Sequence, residues 1–180
     1  MKVLSAINAA PYARAAAGIE AYHGTVLDGL HAFFSGTDHP TPGMTGQGKK
    51  VMVVFGSDHG LCGSYNETVA SHVRGNLGTA APVLLCIGAQ MREALSDYGL
   101  ELDAVFLPPA SVDGVGRLAN LLTQKLDDIR QAQQQKGIVV TLAYCARIED
   151  GMQAPMIAPF AGFDRRIEEK TMGLSQLAKF

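Results

Sequence analysis

Two periods of apolar residues alternate along the chain. Val51-Met52-Val53-Val54-Phe55 is a short continuous apolar run, and Val83-Leu84-Leu85-Cys86-Ile87 is a second. Runs of this length suit strands covered on both faces. Leu102 to Leu107, closed by Pro108-Pro109, and Ile138 to Tyr144 predict two more strands. Met156-Ile157-Ala158, set between two prolines, predicts a short fifth strand at a sheet edge, because proline cannot donate to a central ladder. Helical periods fill the gaps. Ser64-x-x-Glu67 reads as a capping box opening a helix that runs to about Leu77 and ends at Gly78. Ala89 to Tyr98 is a helix stopped by Gly99. Val112 to Gln135 is a longer one, apolar at Val115, Leu118, Leu122, Leu126 and Ile129, with Lys125, Asp128, Gln131 and Gln134 on its far side.

The first part of the chain is different. Residues 1–34 are Ala-rich, and Ile19, Tyr22, Val26, Leu30 and Phe33 recur at helical steps, widened by His23, Leu27 and Phe34. Pro11 opens or kinks this helix. Residues 35–49 carry the Gly and Pro content of a linker. The expected organisation is an N-terminal helix (1–34), a linker (35–49), an α/β domain (50–160) and a polar tail (161–180). Strands separated by helices imply right-handed crossovers and a mainly parallel sheet. The expected fold class is α/β: a three-layer Rossmann-like or flavodoxin-like domain of about five strands, preceded by a helix.

Composition narrows the classes of function. The chain has 180 residues, 47% apolar, with a net charge of -2. That is enough for one domain with a real core, and it gives no electrostatic reason to expect nucleic acid or anionic lipid. No stretch reaches eighteen consecutive apolar residues, and Asn8, Pro11 and Arg14 interrupt any signal-like core behind Met1-Lys2. Cys62, Cys86 and Cys145 are odd in number and far apart, which argues against a disulfide framework or a zinc site and for a reducing compartment. Cys86 and Cys145, inside apolar runs, read as small buried hydrophobes.

The distinctive stretch is Gly56-Ser57-Asp58-His59-Gly60-Leu61-Cys62-Gly63-Ser64-Tyr65-Asn66, between the first strand and its helix. Ligands of doubly wound sheets bind in such places. A phosphate cradle is one reading, but Gly56, Gly60 and Gly63 do not match GxGxxG, and no GKS or GKT follows. A nucleophilic Cys62 near a helix N-terminus, with His59 as base and Asp58 orienting it, is another; residues adjacent in sequence rarely make a working triad. A metal held by Asp58, His59 and Cys62 would mix hard and soft ligands on one short loop. None of His23, His31, His39 and His72 has ligand spacing with it: His23 reads as a packing residue, His39 and His72 as solvated. The plain structural reading is that Leu61 and Cys62 pack under the turn.

The run from Val51 to Asn66 resembles the signature of the ATP synthase gamma subunit family, in which a hydrophobic strand leads into a Ser-Asp-(Arg or Lys)-Gly-Leu-Cys-Gly turn followed by Asn. Ser57, Asp58, Gly60, Leu61, Cys62, Gly63 and Asn66 fall in place; His59 departs from the family's basic residue. Weaker likeness extends over Met1 to Ile7, Pro11-Tyr12-Ala13, Leu85-Cys86-Ile87-Gly88 and Met152-Gln153-Ala154-Pro155. The resemblance implies a non-catalytic central-stalk subunit of a rotary proton-transporting ATP synthase, with ATP chemistry on partner subunits and with no catalytic, cofactor or metal residues of its own. The implied partners are the alpha, beta and epsilon subunits and the membrane rotor ring, and the implied location is peripheral, on the cytoplasmic face of an energy-transducing membrane. The shaft helices are expected to be shortened, as in a truncated chain or a stand-alone relative, and the uncovered stripe on the first helix predicts self-association. The competing reading is a small flavodoxin-like ligand-binding or thiol-dependent enzyme using loop 56–64.

Overall fold

The computed structural model describes residues 10–19, 22, 24–25, 48–78, 80–133, 137–147 and 153–160. The expectations for residues 1–9, for Val26 to Phe34, for most of the linker, for His23, His31 and His39, and for the tail beyond Phe160 lie outside these residues. Residues 10–19 form a helix, α1, with Pro11 in its first turn, where a missing N–H leaves no helical bond unmade. Its outward positions include Tyr12 and Ile19, and Tyr22 beyond it is also exposed. Of the described residues, 10–19, 22, 24–25 and 109–115 fall in one compact unit, and the sheet and its helices in another.

The sheet unit runs β1 (Lys49–Phe55), α2 (Tyr65–Asn76), β2 (Val83–Ile87), α3 (Ala89–Asp97), β3 (Ala104–Phe106), α4 (Val115–Ala132), β4 (Ile138–Arg147) and β5 (Gln153–Pro159). A 3-10 turn at Val112–Gly114 precedes α4, so the helix starts at Val115, the first position of its apolar pattern, rather than at Val112. The five strands lie in the order β3-β2-β1-β4-β5. β1 pairs parallel with β2 and β4, β2 pairs parallel with β3, and β5 closes the far edge antiparallel to β4. The chain is therefore an α/β domain with a mixed, mainly parallel sheet, and the fifth strand is at an edge as its prolines require. It extends through both of them.

The continuous apolar run of β1 is explained by cover on both sides. Val51 and Val53, together with Leu85 and Ile87 of β2, pack under Leu118, Leu122, Leu126 and Ile129 of α4. Met52 and Val54, with Leu84, Cys86 and Ala143, pack against Val69, Ala70 and Val73 of α2 and Met91, Ala94 and Leu95 of α3. Each fully buried aliphatic side chain among them contributes about 1.5–3 kcal/mol. Four of the five predicted stripe residues of α4 lie on this core; Val115 is exposed. Lys125, expected on the solvent side, instead reaches Asp103 before β3 at 2.7 Å, its aliphatic stem lying along the protein. Ser64 precedes α2 but its side chain makes no capping hydrogen bond, so the Ser64–Glu67 capping box does not form.

Cys86 is fully buried, as its apolar run predicted, whereas Cys145 is only half-buried beside the same core. Burial pushes the Cys86 thiol from 9.0 up to about 12, because a thiolate there would lose its water. The folded protein thus holds this proton where the unfolded chain has lost it. The resulting stability is complete below pH 9 and disappears as pH rises toward 12. A chemical-denaturation series across that range should show a loss of up to about 3–4 kcal/mol from this group, and the loss should be absent in Cys86→Ala measured against the parent. Parallel pH curves for the two proteins would show that Cys86 is not the cause.

Candidate functional site

The turn between β1 and α2 is organised around Asn66. This residue is 4% exposed, the buried polar residue among those described. A buried carboxamide is costly unless its groups are paired. Its Oδ1 accepts the Ser57 backbone N–H at 3.0 Å, and its Nδ2 donates to Ser57 Oγ at 2.8 Å and reaches Cys62 Sγ at 3.4 Å. Ser57 Oγ donates to the His59 carbonyl at 2.9 Å and lies 3.0 Å from Cys62 Sγ. The loop is closed by side chains that answer each other.

Asn66 comes this close because Gly56 has no side chain. A Cβ there would overlap the Met91 side chain and sit 2.8 Å from Asn66 Oδ1. Gly63 has a different reason: its φ of 61° is in the left-handed region, where a Cβ is strained. Gly60 shows neither constraint, since a Cβ would meet only Gln90 Oε1 at an ordinary 3.7 Å. On the other side the turn is tied to α3. Asp58 Oδ1 accepts the Ala89 N–H at 3.2 Å, in the first turn of that helix where a carboxylate is favoured. The Ser57 carbonyl accepts the Gln90 N–H at 3.1 Å.

The seven motif residues therefore do not converge on a common point. Ser57, Cys62 and Asn66 form one hydrogen-bonded cluster, Asp58 is spent on α3, and Gly63, like Gly56 just before the motif, shapes the backbone. Leu61 does not pack under the turn as expected; it is 102% exposed at the tip. Cys62 is half-buried in the cluster. His59 contributes its carbonyl to the cluster. The base–thiol pair of the nucleophile reading does not form: Cys62 Sγ faces Ser57, Asn66 and the His59 carbonyl rather than an imidazole. Among the described residues no three of His, Cys, Asp and Glu gather as metal ligands.

The residue that sequence reasoning missed is Tyr65. Strand order reverses between β1 and β4, and the crevice beyond the carboxyl ends of those strands is where a doubly wound sheet takes its ligand. Tyr65, at the start of α2, points its hydroxyl at the Phe55 carbonyl, 3.5 Å away, and packs on the core beside Cys145. Burial raises its phenol above the usual value, more than the contact with the Cys145 backbone lowers it. Its position directly before Asn66, at the end of a glycine-rich turn, was the available signal. Two open depressions on the surface lie elsewhere, one lined by Glu67, Thr68, Ser71, His72 and Pro155 and the other along α4 by Asn120, Thr123, Gln124, Asp127 and Arg130.

Known proteins resemble this chain in sequence and in fold. A family model described as ATP synthase matches residues 1–177. The mitochondrial ATP synthase subunit gamma of Drosophila melanogaster is 32% identical over 126 residues, which is 66% of this chain and 41% of that protein. The chain thus spans well under half the length of that curated relative. Among solved structures, the central stalk and c-ring of the Tetrahymena thermophila mitochondrial ATP synthase contains a chain that superposes with a TM-score of 0.59 at 17% identity, covering 88% of this chain and 70% of that one. A chain of the Euglena gracilis mitochondrial ATP synthase rotor superposes with a TM-score of 0.52 at 10% identity, covering 94% and 63%. At such identities these two likenesses speak for the fold. The match of the family model over nearly the whole sequence goes further: the chain belongs to the ATP synthase family.

Proposed function

We propose that this chain is a gamma-type central-stalk component of a rotary, proton-transporting ATP synthase, acting by shape and contact, with ATP chemistry on partner subunits. The observation that carries this reading is the self-satisfied turn. Ser57, Cys62 and Asn66 spend their polar atoms on one another, Asp58 spends its on α3, and Tyr65 turns its hydroxyl to the Phe55 carbonyl at the end of β1. A catalytic site needs groups aimed at a reacting atom; this one aims its groups inward and leaves Leu61 outside. The sheet order 3-2-1-4-5 supports a Rossmann-like rather than a flavodoxin-like foot domain. The partners are then the alpha, beta and epsilon subunits and the rotor ring, and the location is peripheral to an energy-transducing membrane. No helix among the described residues is long and apolar enough to cross one.

On this reading the exposed side of α1 belongs against another surface. Ile19 is 58% and Tyr22 71% exposed, a spacing of three that puts both on one helical stripe. Apart from its partners, the chain covers that stripe with a second copy.

Two outcomes follow. Asn66→Ala leaves the Ser57 N–H without its acceptor and should lower stability by about 2–3 kcal/mol in denaturant titration, while Cys62→Ser, which keeps a hydrogen-bonding group, should cost about 1 kcal/mol or less. A thiol-dependent enzyme would reverse the weight of Cys62→Ser, with stability intact and an activity or ligand lost. In light scattering, the isolated chain should be larger than a monomer, and Ile19→Glu/Tyr22→Glu should return it to one; a monomeric parent chain would rule out self-association through α1.

A further inference from the structure

The outer edge of β5 has a feature that the stalk reading does not use. Phe160 donates its N–H to the Val140 carbonyl directly opposite it, at 2.8 Å. In an antiparallel ladder such hydrogen-bonded pairs alternate with pairs whose backbone groups point away from each other. The register then makes Ala158–Leu142, Met156–Tyr144 and Ala154–Ala146 the bonded pairs. Gln153, Pro155, Ile157 and Pro159 turn their backbone groups outward, away from β4. The other side of β4 agrees with this phase: Gly137, an odd-numbered residue like Thr141, Ala143 and Cys145, directs its carbonyl to Lys49 of β1.

We propose that Pro155 and Pro159 close this edge of the sheet against strand pairing with a second copy of the chain. Gln-Ala-Pro-Met-Ile-Ala-Pro carries no charge, so the strand lacks the like-charge protection that other edges use. Apart from Gln153, its remaining residues are apolar, a composition that pairs readily when exposed. Two copies of β5 would meet most simply about a two-fold axis at Ile157, the self-complementary arrangement of closed dimers. In that register Ile157 faces its own copy and can exchange both of its bonds. On either side, Pro155 faces Pro159 of the other copy, and neither has an N–H to give. The bonds next to the axis on either side are thereby removed, while the inward ladder to β4, which uses Ala154, Met156 and Ala158, is untouched. The prolines occupy the positions where they cost the fold nothing and an intermolecular sheet the most.

The test has two parts. In the parent chain, amide exchange followed by NMR should alternate along the strand: Met156 and Ala158 slow, Ile157 between them fast. In Pro155→Thr/Pro159→Thr, with folding checked by circular dichroism, the association constant from sedimentation across a concentration series should rise at least about tenfold over the parent, since each restored bond contributes about 1 kcal/mol, and the Ile157 amide should become protected. Ile157 exchanging as slowly as its neighbours in the parent would overturn the assigned phase of the ladder. A folded double variant that associates no more tightly than the parent would overturn the guarding role.

Discussion

The pairing of the Asn66 carboxamide with the Ser57 backbone and hydroxyl is the contact on which the candidate region depends. It joins the last turn of chain leaving β1 to the first turn of α2, across nine residues of sequence. Once that contact is fixed, Gly56 has to be bare, Gly63 has to carry the left-handed bend, and Cys62 is drawn in beside Ser57. The same closure leaves Leu61 no inward place.

The sheet gives this turn its footing. β1 lies in the middle of five strands with helices on both faces, and its alternate residues feed two separate apolar clusters. Its carboxyl end is therefore a well-packed place from which to project a loop. Such a topology takes ligands at that end of the sheet, and here Tyr65 sets its hydroxyl toward the Phe55 carbonyl at the end of β1. Fold and function part at this point: the sheet order alone is shared by many ligand-binding domains, and it is the side chains in the crevice that decide.

Much of this was legible in the sequence for a simple reason: strands covered on both faces must be apolar throughout, and Val51 to Phe55 and Val83 to Ile87 could be little else. Pro155 and Pro159 marked an edge strand because a proline has no N–H to lend a neighbour. The errors have equally local causes. Ser64 stands where a cap would, with Glu67 correctly spaced, yet the turn's bonds run through Ser57 and Asn66 instead, and tertiary contact overrode a local pattern. Leu61 was read as packing because leucine usually does; its exposure depends on the turn's fold, which no periodicity records. Lys125 was assigned to solvent by its helical angle, but Asp103 lies within reach of its long stem. The role of Asn66 was visible as a motif position only, since a carboxamide reveals its partners in three dimensions.

The central claim is that this turn belongs to a stalk component and works through partners. The most direct measurement is affinity purification of the endogenous protein under mild conditions, with intact-mass analysis of everything retained. The account predicts that alpha, beta and epsilon subunits of an ATP synthase come with it in fixed proportion. Recovery of the protein without any of those subunits, with a small molecule held at loop 56–64, would contradict it.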